Sequence, residues 1–122
     1  RGKNPLLAKK LELAGWSYPK HLKGRAFSVV VHGDASGVEN LRRILCDWLT
    51  DMELVPAGNA AQVGAYVGYL RSYATSHEDL DADSGIQGEV QNAARSLLRM
   101  VGLMRSGTYR PPDADLHEPR PK

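Results

Sequence analysis

The residues His32-Gly33-Asp34-Ala35-Ser36-Gly37 carry the densest chemistry in the sequence. They follow an apolar run, Ala26-Phe27-Ser28-Val29-Val30-Val31, and lead into a stretch with helical periodicity. A turn in that position has free backbone N–H groups at the carboxyl end of a strand and at a helix N-terminus, where open α/β sheets bind ligands. Gly33 and Gly37 would let a flat ligand approach the main chain. The glycine spacing is not that of a phosphate loop, because no Gly-Lys-Ser/Thr follows. His32, Asp34 and Ser36 crowd one turn and cannot take the separate places of base, orienter and nucleophile, which disfavours hydrolase chemistry. The plain alternative is an ordinary βα turn in which Asp34 or Ser36 caps the helix.

Other reactive types are less well arranged. Asp79-x-Asp81-x-Asp83 has the start of an EF-hand loop, but the sixth position is Ser84 where glycine is needed and the twelfth is Val90 where the bidentate glutamate belongs. Negative charge at the start of a helix explains the run better. His21, His32, His77 and His117 show neither H-x-x-x-H nor Cys-His spacing, so no metal site is expected. Cys46 falls inside the helical stretch, with Arg42 and Arg43 as the nearby cations. Tyr66, Tyr69 and Tyr73 could stack on a ring, pack on the chain's own helices or meet another subunit. Trp16 and Trp48 read as core or interface anchors.

The elements that must position the turn follow from periodicity. Arg25 to Val31 is β-branched without alternation, as in a parallel strand covered on both faces. Ser36 and Glu39 have capping-box spacing, and Val38, Leu41, Leu45, Trp48 and Met52 recur on one face, which predicts a helix over 38–51. Leu54-Val55 before Pro56 reads as a short edge strand. Together these make one right-handed βαβ unit. Residues 59–76 read as a long irregular stretch carrying the three tyrosines. Ile86, Val90, Ala93, Ala94, Leu97, Val101 and Met104 predict a second helix over 81–105, stopped by Gly107. The chain therefore divides into a connecting segment 1–24, an α/β part 25–107 and a proline-rich, disordered tail 108–122.

With 122 residues, 42% hydrophobic and 25% charged, the chain has room for one folded domain. A net charge of +2 without a basic cluster argues against nucleic acid. The longest apolar runs fall short of the roughly 20 residues that cross a bilayer. One cysteine and no signal-like start favour a cytoplasmic setting. Arg1 in place of Met, with no strand near it, reads as the cut edge of a longer polypeptide.

The strand, the turn and the helix from Gly37-Val38-Glu39 to Trp48-Leu49 resemble the fourth strand, flavin loop and fourth helix of the flavodoxin-like fold. The closer similarity is to flavodoxin-like NAD(P)H-dependent FMN reductases. It is carried by Val29-Val30-Val31-His32-Gly33-Asp34, Asp47-Trp48-Leu49-Thr50-Asp51-Met52 and Tyr73-Ala74-Thr75-Ser76-His77, and it spans about Leu11 to Gly107. The resemblance implies a three-layer sandwich with a parallel sheet, of which this chain holds strands 4-5 and their helices. It implies an FMN-binding oxidoreductase, with NAD(P)H as reductant and a quinone, free flavin or other small molecule as acceptor. His32, Gly33 and Asp34 would lie beside the isoalloxazine edge, with Ala35 and Ser36 next to them. Main-chain donors there stabilise the electron density of reduced flavin. No catalytic side chain is singled out. The Ser/Thr-rich phosphate loop that such proteins carry after strand one has no counterpart in this sequence. A missing N-terminal segment or another subunit is therefore expected to pair with the sheet, making the chain a homo-oligomer or a member of a complex. The competing function is a non-catalytic flavodoxin-like binding or assembly subunit.

Overall fold

Two short pairs of parallel strands, joined by one helical crossover, organise the chain. The structure is a computed structural model, and it describes residues 4–14, 20–33, 36–66 and 77–116. In chain order the elements are α1 (Pro5–Ala14), β1 (Ala26–Phe27), β2 (Val29–Gly33), α2 (Val38–Asp51), β3 (Val55–Pro56), a 3₁₀ turn (Asn59–Ala61), β4 (Gln62–Tyr66), α3 (His77–Ala82) and α4 (Ser84–Arg105). β1 pairs with β3, and β2 pairs with β4 in the register Val29 with Gln62 through Gly33 with Tyr66. The chain is thus mixed α/β with short parallel sheets.

α2 forms where the spacing of its apolar residues predicts, over 38–51. Its N-terminus differs from the predicted capping box. The cap position is Gly37, at φ 112°, with no side chain to accept from the first turn. Ser36 is exposed, and the Glu39 carboxylate turns sideways to Arg42 and Arg43. An arginine one turn on offers a charge-assisted bond, which is stronger than a neutral amide contact.

The sheet has two differently covered faces. Paired residues share a face, so Val29, Gln62, Val31 and Gly64 lie on one side and Val30, Val63, His32 and Ala65 on the other. α2 covers the first side: Phe27, Val29, Val31 and Cys46 form the core cluster, flanked by Val38, Leu45, Leu49 and Leu54. α4 packs on the 3₁₀ turn and β4, with lesser contact to β1 and β2. Two small residues, Ala61 at 0% exposure and Ala93 at 1%, let it approach closely. Because α4 sits over the β4 side, Val30 on β2 remains 47% exposed. The expectation of a strand covered on both faces is corrected accordingly: β2 alternates buried and exposed.

The expected irregular stretch 59–76 is overturned for its first part. Residues 62–66 form β4, the five-residue partner of β2, and Tyr66 ends that strand. The short strand before it is present as Val55–Pro56, where the Val55 N–H donates to the Arg25 carbonyl at 2.9 Å and the Ala57 N–H to the Phe27 carbonyl at 3.1 Å. The crossover therefore lands on two strand segments separated by the 3₁₀ turn. Tyr69 and Tyr73 lie outside the described residues. The long helix predicted over 81–105 is broken at Asp83, giving α3 and α4. Asp83 caps α4, its Oδ1 accepting from the Ile86 N–H at 3.0 Å. Asp79 and Asp81 belong to helical α3, so the acidic run is not a calcium-type loop.

At the amino end, α1 starts on Asn4, whose Oδ1 accepts from the N–H groups of Leu6 and Leu7 at 3.1 and 3.2 Å, with Pro5 in the first helical position. None of its residues is buried. Glu53, in the left-handed region at φ 61°, ties the 20–24 turn to the lead into β3. Its carboxylate takes Lys20 and Lys23, each at 2.5 Å, and these hydrogen bonds hold it below the usual carboxylate range.

Candidate functional site

β2 and β4 run parallel and end together, so the turn after β2 lies at the carboxyl edge of the strand pair. His32, which pairs with Ala65, is exposed there, and Gly33, which pairs with Tyr66, is half-buried. A Cβ built on Gly33 would meet Val38 Cγ2 at 3.2 Å, so the strand end and the start of α2 touch at that point. Ser36 and Gly37 are exposed on the approach to α2. Asp34 and Ala35 lie outside the described residues. Of the five residues singled out from the sequence, His32 and Gly33 thus end β2 and Ser36 leads into α2. What this arrangement offers chemically is main chain: N–H groups of a turn beside the positive end of a helix dipole.

A second feature had no sequence signal strong enough to find it. A groove of about 530 Å³ runs along β4 between α2 and α4, walled by Glu39, Arg42, Asn59, Gln62, Glu89 and Asn92. Sequence separation hides it, because its walls come from four elements. Its charge is largely committed. Arg42 Nε donates to Glu39 Oε2 at 3.0 Å, Nη2 donates to Glu39 Oε1, and Nη1 donates to Gln62 Oε1 at 3.2 Å. The fork lies over Gly64, where a Cβ would come within 3.0 Å of Arg42 Cδ. Glycine at this strand position therefore makes room for the guanidinium.

The hydrogen bonds from Arg42 lower the Glu39 carboxyl from 4.5 to about 2, with the Arg42 charge and a bond from Arg43 adding to the effect. Arg42 is raised in turn by its bond to Glu39. A carboxyl depressed by folding stabilises the native state above its unfolded value, and that contribution is lost as pH falls from about 4.5 towards 2. In an NMR titration the Glu39 side-chain carboxyl should show its midpoint near 2. Arg42→Leu should return it most of the way to the ordinary value. A midpoint in the ordinary range for the unmodified chain would contradict the Arg42 fork.

Among the described residues, no group of three or more His, Cys, Asp or Glu is placed to hold a metal ion. Cys46 is buried, and Thr50 Oγ1 donates to its carbonyl at 2.8 Å. No described helix is long and apolar enough to cross a membrane. No family model matches the chain, and neither does any curated protein or solved structure.

Proposed function

We propose that this chain forms the flavin-edge part of an FMN-binding, NAD(P)H-dependent oxidoreductase of the flavodoxin-like type. The observation that carries the reading is the turn from His32 towards Gly37, which leaves the carboxyl end of a parallel strand pair and enters α2. A βαβ unit of this kind offers its ligand site at that edge. FMN held there would supply the hydride and electron chemistry between NAD(P)H and a quinone, free flavin or other small acceptor. His32 and Gly33 contribute main-chain contacts to the ring edge, and Asp34, Ala35 and Ser36 are proposed as further contacts of the same ligand.

The residues present fit the ring edge and not the phosphate. Among the described residues no Ser/Thr-rich loop follows a strand, and Arg42, the groove's cation, is held by Glu39. The phosphate therefore needs a second polypeptide segment. Each described strand has a single strand neighbour, so β2 keeps an edge where a missing N-terminal segment or another subunit adds a strand. A non-catalytic binding or assembly subunit is the second reading. It is favoured by the same lack of a phosphate loop, together with the exposed Leu41, Ile44 and Trp48 of α2.

Titration of the purified chain with FMN, read by flavin fluorescence and by the visible bands, separates the two readings. The flavin reading expects saturable, weak binding that Gly33→Ala reduces by about tenfold, equivalent to about 1.4 kcal/mol of lost contact. Far-UV circular dichroism of the variant checks that the Cβ is absorbed by a small shift of Val38. Absence of any spectral change on adding FMN, or binding indifferent to Gly33→Ala, would remove the assignment and leave the assembly reading.

A further inference from the structure

We propose that two copies of this chain associate through the outer side of α2, as an antiparallel helix pair with a two-fold axis at Ile44. α2 is apolar over more than the face it gives to the sheet. Val38, Leu45 and Leu49 pack on the Phe27 cluster. Leu41, Ile44 and Trp48 are instead 47%, 64% and 58% exposed. At helical spacing these three form a ridge about a quarter turn from the sheet-facing side. It lies on the flank opposite Glu39 and Arg42, which lean over β4.

The ridge is self-complementary. Ile44 stands between Leu41, one turn before it, and Trp48, one turn after it. In an antiparallel pair centred on Ile44, Leu41 meets the partner's Trp48 and Ile44 meets the partner's Ile44. The same patch then serves both copies, as a two-fold interface requires. Trp at its ends gives the large aromatic anchors on which such interfaces depend.

Charge selects the antiparallel sense and a second copy as occupant. The C-terminal half of α2 carries exposed Asp47 and Asp51. Its N-terminus begins at Gly37, which has no side chain to satisfy the first N–H groups. Antiparallel packing brings the acidic end of one helix beside the positive end of the other. A net charge of +2 leaves little repulsion between copies. The pairing rests on the α2 ridge, and it brings Asp47 and Asp51 of one copy near the α2 N-terminus that the flavin reading also uses.

Sedimentation equilibrium over a wide concentration range tests the proposal. The unmodified chain should fit a monomer–dimer equilibrium, and Ile44→Glu should weaken it by about a hundredfold, the scale of a lost interface anchor. Leu98→Glu, at a position on α4 that is 71% exposed, should leave it unchanged. Ile44 is exposed in the single chain, so the substitution spares the fold, and circular dichroism checks that. As a second test, Ile44→Cys should cross-link into a covalent dimer under mild oxidation, since the two thiols face each other at the axis. The buried Cys46 does not compete, and Leu98→Cys should stay monomeric. A chain that sediments as a monomer throughout overturns the proposal. So does a dimer that survives Ile44→Glu, cross-linking equal at residues 44 and 98, or a stable complex with a different protein without self-association.

Discussion

Phe27→Ala is expected to remove about 3 kcal/mol of folding stability, the cost of deleting a buried ring from a core that cannot close over the space. Phe27 is 6% exposed and belongs to the cluster with Val29, Val31 and Cys46, with Leu45, Leu49 and Leu54 beside it. It is the one phenylalanine of the chain. Its carbonyl also accepts from Ala57, so it sits where β1 meets the strand that follows α2. Domains of this size have about 5–15 kcal/mol in total. The variant should therefore melt about 10 °C lower, and denaturant unfolding followed by circular dichroism measures the difference. A loss under about 1 kcal/mol would mean that α2 does not cover this strand.

Val63→Asp is expected to cost about 3 kcal/mol or more, because it places a carboxylate without a partner between β4 and α4. Val63 is 6% exposed and pairs in register with Val30, which shares its face of the sheet and is 47% exposed. Val30→Asp should accordingly cost under about 1 kcal/mol. The contrast between two valines in register, measured in the same melts, reads out where α4 lies. Equal costs would mean that α4 does not favour the β4 side. Two small costs would return residues 62–66 to the surface loop that the sequence pattern indicates.

How far each part was legible depended on whether its signal was local. The helix over 38–51 was readable because its spacing repeats over four turns and no proline or glycine interrupts it. The strand ahead of it was readable from β-branched residues alone, although its end was not: it continues through His32 and Gly33 because both pair with β4. β4 itself was missed. Gln62-Val63-Gly64-Ala65-Tyr66 alternates weakly and contains a glycine, so its strand character comes from pairing with β2 and cover by α4. The same holds for the break at Asp83, where a side-chain cap on Ile86 divides what periodicity joins. Of the turn expected over 32–37, His32 and Gly33 belong to β2 and Ser36 and Gly37 precede α2, while the β4 groove, built by Glu39, Gln62, Glu89 and others, had no contiguous signature.

One crossover of parallel strands around α2 and a later amphipathic helix came from the sequence alone, because apolar period and turn chemistry act between neighbours in the chain, whereas β4 and α3 did not. Only the tertiary structure decided which apolar residues are covered. Leu41 and Trp48 share the periodicity of Val38 and Leu45 but stand outside the area the sheet can shield, and Val30 differs from Val63 only in lying beyond the reach of α4. It also turned Glu39 from a predicted cap into the anchor of Arg42. Burial and ion pairing depend on which surface arrives opposite a side chain, and that partner is set by packing between distant segments.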